Sequence, residues 1–313
     1  MSNARKLADN LPINGVANAE NILINGNFIV SQRGDYSSAT PSSTSTYYLD
    51  RWKTDISGVS ATIQNPSVDL PNGVTTKSAK IAAISSGTGY LQLHQWIEPQ
   101  PYMDNRQITI SAYVRSNNAN TRIRVEKTGG NVDGSNTHSG GGGWELLEET
   151  ITLPDSISSF RIGIIMWNGN AVSISSGDYI EMAHFKAEFG PRRTPFKDEL
   201  YDTTLEKCQR YYQKAGDGRT YGVVFNQHTG VNAYSCMRWW KPMRVSPTIS
   251  SMTLSNYNIY NTGASRSFSA IGISQLSENS GEFYLTTTTL AAGSATHCNT
   301  NGDLTMWRAD AEL

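Results

Sequence analysis

The stretch ITISAYVRS, residues 108–116, alternates apolar and polar side chains with a period of two. Successive side chains of a β-strand point to opposite faces, so this period is that of a half-buried strand. Thr109, Ser111, Tyr113 and Arg115 would share the polar face. The apolar face would carry Ile108, Ile110, Ala112 and Val114.

The same alternation recurs in TRIRVEK, residues 121–127, and in FRIGIIMW, residues 160–167. Loops rich in Gly, Asn and Ser separate these segments. The chain has 313 residues, and 17% of them are charged, which is below the usual quarter. This balance favours strands joined by turns over long surface helices. We therefore predict a mainly β chain built on an antiparallel β-sandwich.

Changes in composition divide the chain into four parts. A short amphipathic stripe in residues 4–11 ends at Pro12, and Pro191 and Pro195 bracket a linker before a helical pattern. The predicted parts are an N-terminal arm (residues 1–20), the β-sandwich (21–195), a linking helix (196–215) and a smaller C-terminal β domain (216–313). The helix would present an apolar seam of Tyr201, Leu205, Cys208 and Tyr212.

Charge and cysteine content exclude several classes of protein. The net charge of −1 provides no field that would attract nucleic acid or an anionic membrane surface. No apolar run is long enough to span a bilayer. Three distant cysteines argue against a disulfide framework, so we predict buried free thiols at Cys208, Cys236 and Cys298.

Motifs for catalysis are also missing from the sequence. The five histidines are scattered without metal-ligand spacing, and no Gly-x-Ser-x-Gly elbow occurs. Carboxylates such as Glu145, Glu148 and Glu149 cannot be paired across a sugar from sequence alone. We therefore predict a protein that is not an enzyme and needs no cofactor.

Several stretches together resemble the fibre proteins of tailed bacteriophages. NILINGNFIVSQRG (21–34) followed by YYLDRW (47–52) is similar to the opening of their jelly-roll domain. GWELLEETITLP (143–154) and GDYIEMAHFKAEFGPRRTPF (177–196) resemble its closing strands, a pattern shared more loosely with carbohydrate-binding modules. DELYDTTLEKCQRYYQK (198–214) resembles the helix that follows the domain, and the first eleven residues resemble those of cyanophage fibres.

This resemblance implies a jelly-roll sandwich in a non-catalytic tail fibre that binds a host-surface glycan as its receptor. It implies a homotrimer on the virion, assembled in the host cytoplasm and attached to other tail or baseplate proteins through residues 1–20. Two alternatives stay open. One is a purely structural virion component, such as an adaptor, a nozzle part or a capsid fibre. The other is a carbohydrate-binding accessory domain of a glycan-degrading system.

The resemblance also bears on metal binding and on the DRW motif. Many carbohydrate-binding modules hold a structural calcium with acids that follow Asn-Gly and lie in the last strand. Here Asn27 stands at the first place, with Ala183 and His184 in the last strand. We therefore predict no inherited calcium site. If calcium did bind here, Glu181 and Asp178 would be the carboxylates available to it.

In the DRW motif, Trp52 is expected to be a core anchor beside a buried or half-buried Asp50-Arg51 pair.

Two candidate binding surfaces follow from the patterns. On the sandwich, alternation predicts one polar face with aromatic rings and guanidinium groups suited to a sugar. The alternative is that this face is solvated or buried in a subunit contact. Its residues are Tyr113, Arg115, Arg122, Arg124 and Trp167.

The second surface lies in the C-terminal domain, where we expect host recognition. Its predicted residues are Trp239 and Trp240 in MRWWKPMR, together with Tyr257 and Tyr260 in a loop tip over residues 256–261. Adjacent residues of a strand face opposite sides, so at most one of the two tryptophans should be core. The alternative is that both stretches build the trimer contact.

Overall fold

The computed structural model describes residues 20–215, 222–227, 232–250, 257–261, 264–266, 269–286, 295–300 and 307–312. The predicted arm of residues 1–20 therefore lies almost wholly outside the described residues. The chain forms two compact units, divided between Thr204 and Leu205. None of the helices in the described ranges is long and apolar enough to cross a membrane.

The N-terminal unit is built from short strands and one 3-10 turn at Pro101–Met103. The strands are β1 (Thr40–Ser42), β2 (Thr46–Tyr47), β3 (Lys53–Ser57), β4 (Ala61–Gln64), β5 (Ser67–Asp69), β6 (Thr75–Lys77), β7 (Ala79–Ala83), β8 (Gly87–Trp96), β9 (Gln107–Ser116), β10 (Thr121–Lys127), β11 (Gly130–Thr137), β12 (Trp144–Thr152), β13 (Phe160–Met166), β14 (Val172–Ile174) and β15 (Tyr179–Phe189).

These strands form two antiparallel sheets that face each other. One sheet has six strands in the order β1-β4-β7-β15-β9-β12. The other has seven, in the order β11-β10-β13-β8-β3-β2, with β14 paired to β8. A small hairpin of β5 and β6 stands apart from both. The predicted fold class, a mainly β chain with an antiparallel β-sandwich, is confirmed.

A single hydrophobic core fills the space between the two sheets. The apolar positions of β9 all belong to it, on the inward side that the alternation predicts. Trp52 is 1% exposed and lies between Phe28 and Phe185, with ring centroids 4.9 and 5.3 Å away. Its indole Nε1 donates to the Asn25 carbonyl at 2.9 Å. Both Asp50 and Arg51 are buried as well.

The helix α1 (Tyr201–Gln209) is shorter than the predicted 196–215. Tyr212 is not on the helix, because residues 212–215 pair as a strand with the chain end. The prediction of buried thiols holds for Cys208 and is wrong for Cys236, which is exposed. Cys236 points outward because its neighbour Met237 takes the inward position of the strand.

The C-terminal unit has two sheets around its own core. Its strands are β16 (Tyr212–Ala215), β17 (Gly222–Gln227), β18 (Asn232–Arg238), β19 (Thr248–Ser250), β20 (Tyr257–Asn261), β21 (Ala264–Arg266), β22 (Ala270–Ser274), β23 (Ser280–Thr286), β24 (Ala295–Thr300) and β25 (Trp307–Asp310). A three-stranded sheet has the order β16-β25-β19, and a seven-stranded sheet has the order β21-β20-β24-β17-β18-β23-β22.

Candidate functional site

The outer face of the seven-stranded sheet in the N-terminal unit carries a cluster of polar and aromatic side chains. Strand β8 shows why. Leu91 and Leu93 enter the core, so Gln92 and His94 must point outward, with Tyr90 and Trp96 on the same side. The polar-aromatic face, as we call it below, comprises Lys53, Asp55, Tyr90, Gln92, His94, Trp96, Arg122, Arg124, Glu126, Asp133, Arg161 and Trp167.

Arg161 is the centre of the charged network on this face. Its Nη2 lies 2.5 Å from Glu126 Oε2, and its Nη1 lies 3.7 Å from Asp55 Oδ2. A second arginine, Arg124, has its Nε 3.5 Å from Glu126 and 3.6 Å from Asp133. The two guanidinium groups therefore hold all three carboxylates of the face.

The aromatic rings lie at the two ends of the network. The Arg161 guanidinium lies 5.1 Å from the Trp96 ring centroid, and that of Arg124 lies 5.2 Å from Trp167. Tyr90 meets Trp167 edge-on, with centroids 6.0 Å apart. Tyr90 and Trp96 are six residues apart on one strand, so at roughly 3.3 Å per residue the two aromatic positions are about 20 Å apart.

Between these ends, His94 packs against the backbone of β13. Its partner across the strands is Gly163, where a Cβ atom would come within 2.6 Å of the His94 Cβ and 2.3 Å of the Leu93 carbonyl oxygen. Burial lowers the pKa of His94 well below its usual value, and the charges of Arg161 and Lys53 lower it further. The imidazole is therefore neutral, and its Nε2 accepts from Arg161 at 3.3 Å.

Acid is expected to destabilise this unit through His94. The folded state holds the imidazole neutral, whereas the unfolded chain takes up a proton near pH 6.5. The stability that neutral His94 contributes is present above pH 6.5 and is lost as the pH falls towards the pKa of His94 in the folded state. Between pH 7 and 5 the loss should reach up to about 2 kcal/mol.

Urea unfolding at the two pH values measures this loss. The His94→Gln variant should show a shallower dependence, with a remainder from His184, whose pKa burial also lowers. An unchanged slope in His94→Gln would contradict the assignment.

Buried polar atoms without a hydrogen bond are concentrated on the same face. They include His94 Nδ1, Asp133 Oδ1 and the Nε atoms of Arg122, Arg124 and Arg161. Arg124 Nε and Asp133 Oδ1 face each other in an ion pair at 3.6 Å, whereas a buried group with no compensation costs about 1–3 kcal/mol. Such costs, gathered in one place, are what a protein typically carries at a functional site.

The structure brings together three of the five residues predicted for the sandwich face. Arg122, Arg124 and Trp167 lie on the polar-aromatic face. The prediction is wrong for Tyr113 and Arg115, which lie on the outer side of the six-stranded sheet. Alternation correctly predicted that each of these side chains points outward. Residues 117–120, however, carry the chain from the six-stranded to the seven-stranded sheet, so the outward residues of β9 and β10 lie on different surfaces.

The outer side of the six-stranded sheet is partly covered by the chain itself. Arg115 donates to Glu181 Oε2 from Nε at 3.1 Å and from Nη2 at 2.5 Å. Phe196 stacks on His184 with centroids 4.4 Å apart, and the Lys186 ammonium contacts Thr194. Residues 193–196 thus cover part of this surface, which leaves it less suited to an external ligand.

The carboxylates that could have held calcium are engaged elsewhere. Glu181 accepts from Ser78 at 2.7 Å besides its pairing with Arg115. Asp178 accepts from the Asn118 amide at 2.9 Å. No group of three or more His, Cys, Asp or Glu side chains suited to a metal occurs in the described part of the chain.

The residues predicted for recognition in the C-terminal unit differ in their exposure. Trp240 is 51% exposed, whereas Trp239 is 6% exposed and lies in the core. Tyr257 is also a core residue, on strand β20 rather than in a loop tip, so the prediction of an exposed ring there is wrong. The side chain of Tyr260 lies outside the described residues.

A cleft opens beside the tryptophan pair in this unit. It measures ≈ 430 Å³ and is lined by Arg238, Trp239, Pro242, Asn279 and Ser280. Trp240 follows Trp239 in the chain, and its backbone N–H donates to the buried Gln213 side chain at 2.9 Å. Any recognition by the predicted tryptophans would take place at Trp240 and this cleft.

Sequence reasoning missed nine of the twelve residues of the polar-aromatic face. Tyr90, His94, Trp96 and Arg161 were not among the predicted residues. For the three on β8, the segment GTGYLQLHQW, residues 87–96, held the signal, since its two leucines alternate with Tyr90, His94 and Trp96. Only the sheet order could join them to Arg124 and Trp167.

No protein-family model matches the chain, and no curated protein matches it. Among solved structures, the enzymatically active domain of bacteriophage CBA120 tailspike protein 4 is 15% identical, with a TM-score of 0.36 over 54% of this chain. The chain covers only 21% of that protein.

A family 4 carbohydrate-binding module is 16% identical, with a TM-score of 0.30, over 53% of this chain and 98% of the module. A tandem of family 22 modules from Paenibacillus barcinonensis is 10% identical, with a TM-score of 0.32, over 90% of this chain and 98% of the tandem. These similarities concern the fold alone.

Proposed function

We propose that the polar-aromatic face binds carbohydrate, and that the chain does so as a non-catalytic fibre protein of a tailed-phage virion. The observation that carries the first part is the combination of aromatic rings at both ends of one sheet face with guanidinium, amide and carboxylate groups between them. Sugars offer C–H faces that stack on aromatic rings and hydroxyl groups that hydrogen-bond to such side chains.

The length of the face favours an oligosaccharide over a monosaccharide. Tyr90 and Trp167 form one aromatic end and Trp96 the other, about 20 Å away along β8. A single sugar ring could contact only one of these ends. A chain of several sugars would contact both, with its hydroxyl groups over the polar centre.

The arrangement of carboxylates favours binding over hydrolysis. A glycosidase needs two carboxyl groups placed across the scissile bond, one of them able to donate a proton. On this face Asp55, Glu126 and Asp133 each lie within 4 Å of an arginine. They act as anchors for guanidinium groups, which in turn lie against the aromatic rings.

The fibre role is supported by the sequence motifs described above. A fibre would act as a homotrimer on the virion, joined to tail or baseplate proteins by residues 1–20 and binding a host-surface glycan. Several copies on one particle raise avidity without any new contact, so each site can be weak. A structural virion component remains the alternative if the face binds no sugar.

Binding should depend on Trp96 and Trp167. In titrations of the full-length protein with oligosaccharides that it captures on a glycan array, Trp96→Ala and Trp167→Ala should each weaken binding about tenfold or more, as truncation of a central aromatic anchor does. Trp144→Ala is the matched control, because Trp144 lies under Arg115 on the other sheet. It should bind like the wild type.

Equal loss in all three variants, or no capture of any sugar by the wild type, would overturn the binding proposal. The virion role is tested separately. Antibody labelling of phage particles should mark the tail, and light scattering should give the mass of a trimer. Unlabelled particles or a monomer mass would contradict it.

A further inference from the structure

Arg122 differs from the other two arginines of the polar-aromatic face, Arg124 and Arg161. Its guanidinium makes no hydrogen bond or ion pair with any residue that the structure describes. The Nε atom is buried without a partner. The two Nη groups are not among the buried unpartnered atoms, so they reach solvent.

The register of the sheet explains why Arg122 has no acid beside it. Strands β10 and β11 pair irregularly between Arg122 and Arg124. Asp133 stands opposite Arg124, but Thr137 stands opposite Arg122. An irregularity of this kind re-aims side chains, and here it separates one arginine from the carboxylates of the face.

The other side of Arg122 offers an aromatic ring and no acid. Its partner on β13 is Ile165, and Trp167 lies two residues further on the same face. Diagonal neighbours of this kind are about 7–8 Å apart. Because Arg124 and Arg161 hold the three carboxylates of the network, the unpaired charge at this end of the face is positive.

We infer that the ligand of the polar-aromatic face is an acidic oligosaccharide, whose carboxylate pairs with the Nη groups of Arg122 while a sugar ring stacks on Trp167. This inference rests on the proposed carbohydrate binding and adds the class of sugar. A guanidinium presents parallel N–H donors that match a carboxylate, and such charge-assisted bonds are roughly twice as strong as neutral ones. The half-buried position of Arg122 reduces solvent screening of the pair.

The test compares hexuronate oligosaccharides of galacturonate, glucuronate and mannuronate with the carboxyl-reduced form of each. The full-length protein should bind at least one acidic member about tenfold or more tightly than its reduced counterpart. Arg122→Gln should bind the two forms equally. Arg192→Gln, which removes an exposed arginine outside the face, should keep the preference. For the wild type, added salt should weaken the binding of the acidic oligosaccharide and leave the binding of the reduced one unchanged.

The outcomes distinguish failure of the acidic-ligand inference from failure of the proposed carbohydrate binding. Equal binding of both forms by the wild type, with loss in Trp167→Ala, would overturn the acidic ligand and leave carbohydrate binding in place. A preference that survives in Arg122→Gln would overturn the role of Arg122. Failure of the wild type to bind either form or any other sugar would overturn both proposals. Melting temperatures of all variants should match that of the wild type.

Discussion

Trp52→Ala is expected to lower the free energy of unfolding of the N-terminal unit by about 3–5 kcal/mol. The indole is 1% exposed and lies between Phe28 and Phe185, so its removal leaves a cavity between the two sheets. It also leaves the Asn25 carbonyl without its donor. Differential scanning calorimetry should show one transition shifted strongly to lower temperature.

Tyr102→Ala is the matched control for Trp52→Ala. Tyr102 belongs to the same unit but is 60% exposed, and its ring only touches the edge of Phe189. Its loss should change stability by less than about 1 kcal/mol. If the two variants unfolded within about 1 kcal/mol of each other, Trp52 would not be the anchor that its packing indicates.

Lys186→Met is expected to cost a similar amount, about 3–5 kcal/mol, through an uncompensated buried charge. The Lys186 ammonium lies 3.0 Å from Glu188 Oε2, and both side chains are almost fully buried. Without the lysine, the carboxylate keeps only its bonds from Thr194, at 2.7 and 2.5 Å. Urea unfolding measures the change.

The double variant Lys186→Met/Glu188→Gln should recover a substantial part of that loss. Glutamine keeps an acceptor for Thr194 without a charge. Arg193→Met tests an exposed pair, since Arg193 and Glu148 are 36% and 41% exposed, and it should change stability by less than about 1 kcal/mol. A double variant less stable than Lys186→Met would show that the charge is not the source of the cost.

Local pattern predicted the strands and the side of each that enters the core. In β9 the apolar positions are all buried, and in β10 Ile123 and Val125 are buried between outward charged residues. The period of two depends only on backbone geometry within a strand, so it can be read without knowing any partner. The core position of Trp52 was predicted from its DRW motif and not from this period.

The candidate site was only partly predictable, because it is assembled from strands distant in sequence. Trp96, Arg161 and Arg124 come from β8, β13 and β10, which become neighbours only through sheet order. Residues of β9 and β10 are close in sequence, yet they lie on different sheets. This is why Tyr113 was grouped wrongly with Arg124.

By itself, then, the sequence determined a mainly β chain, its inward and outward positions and the residue types available for a sugar. The tertiary structure alone decided which outward residues meet. It paired Arg161 and Arg124 with the acids of the face and, through the register shift in β11, left Arg122 without one. The physical reason is that strand pairing is a long-range contact, whereas alternation is a property of each strand alone.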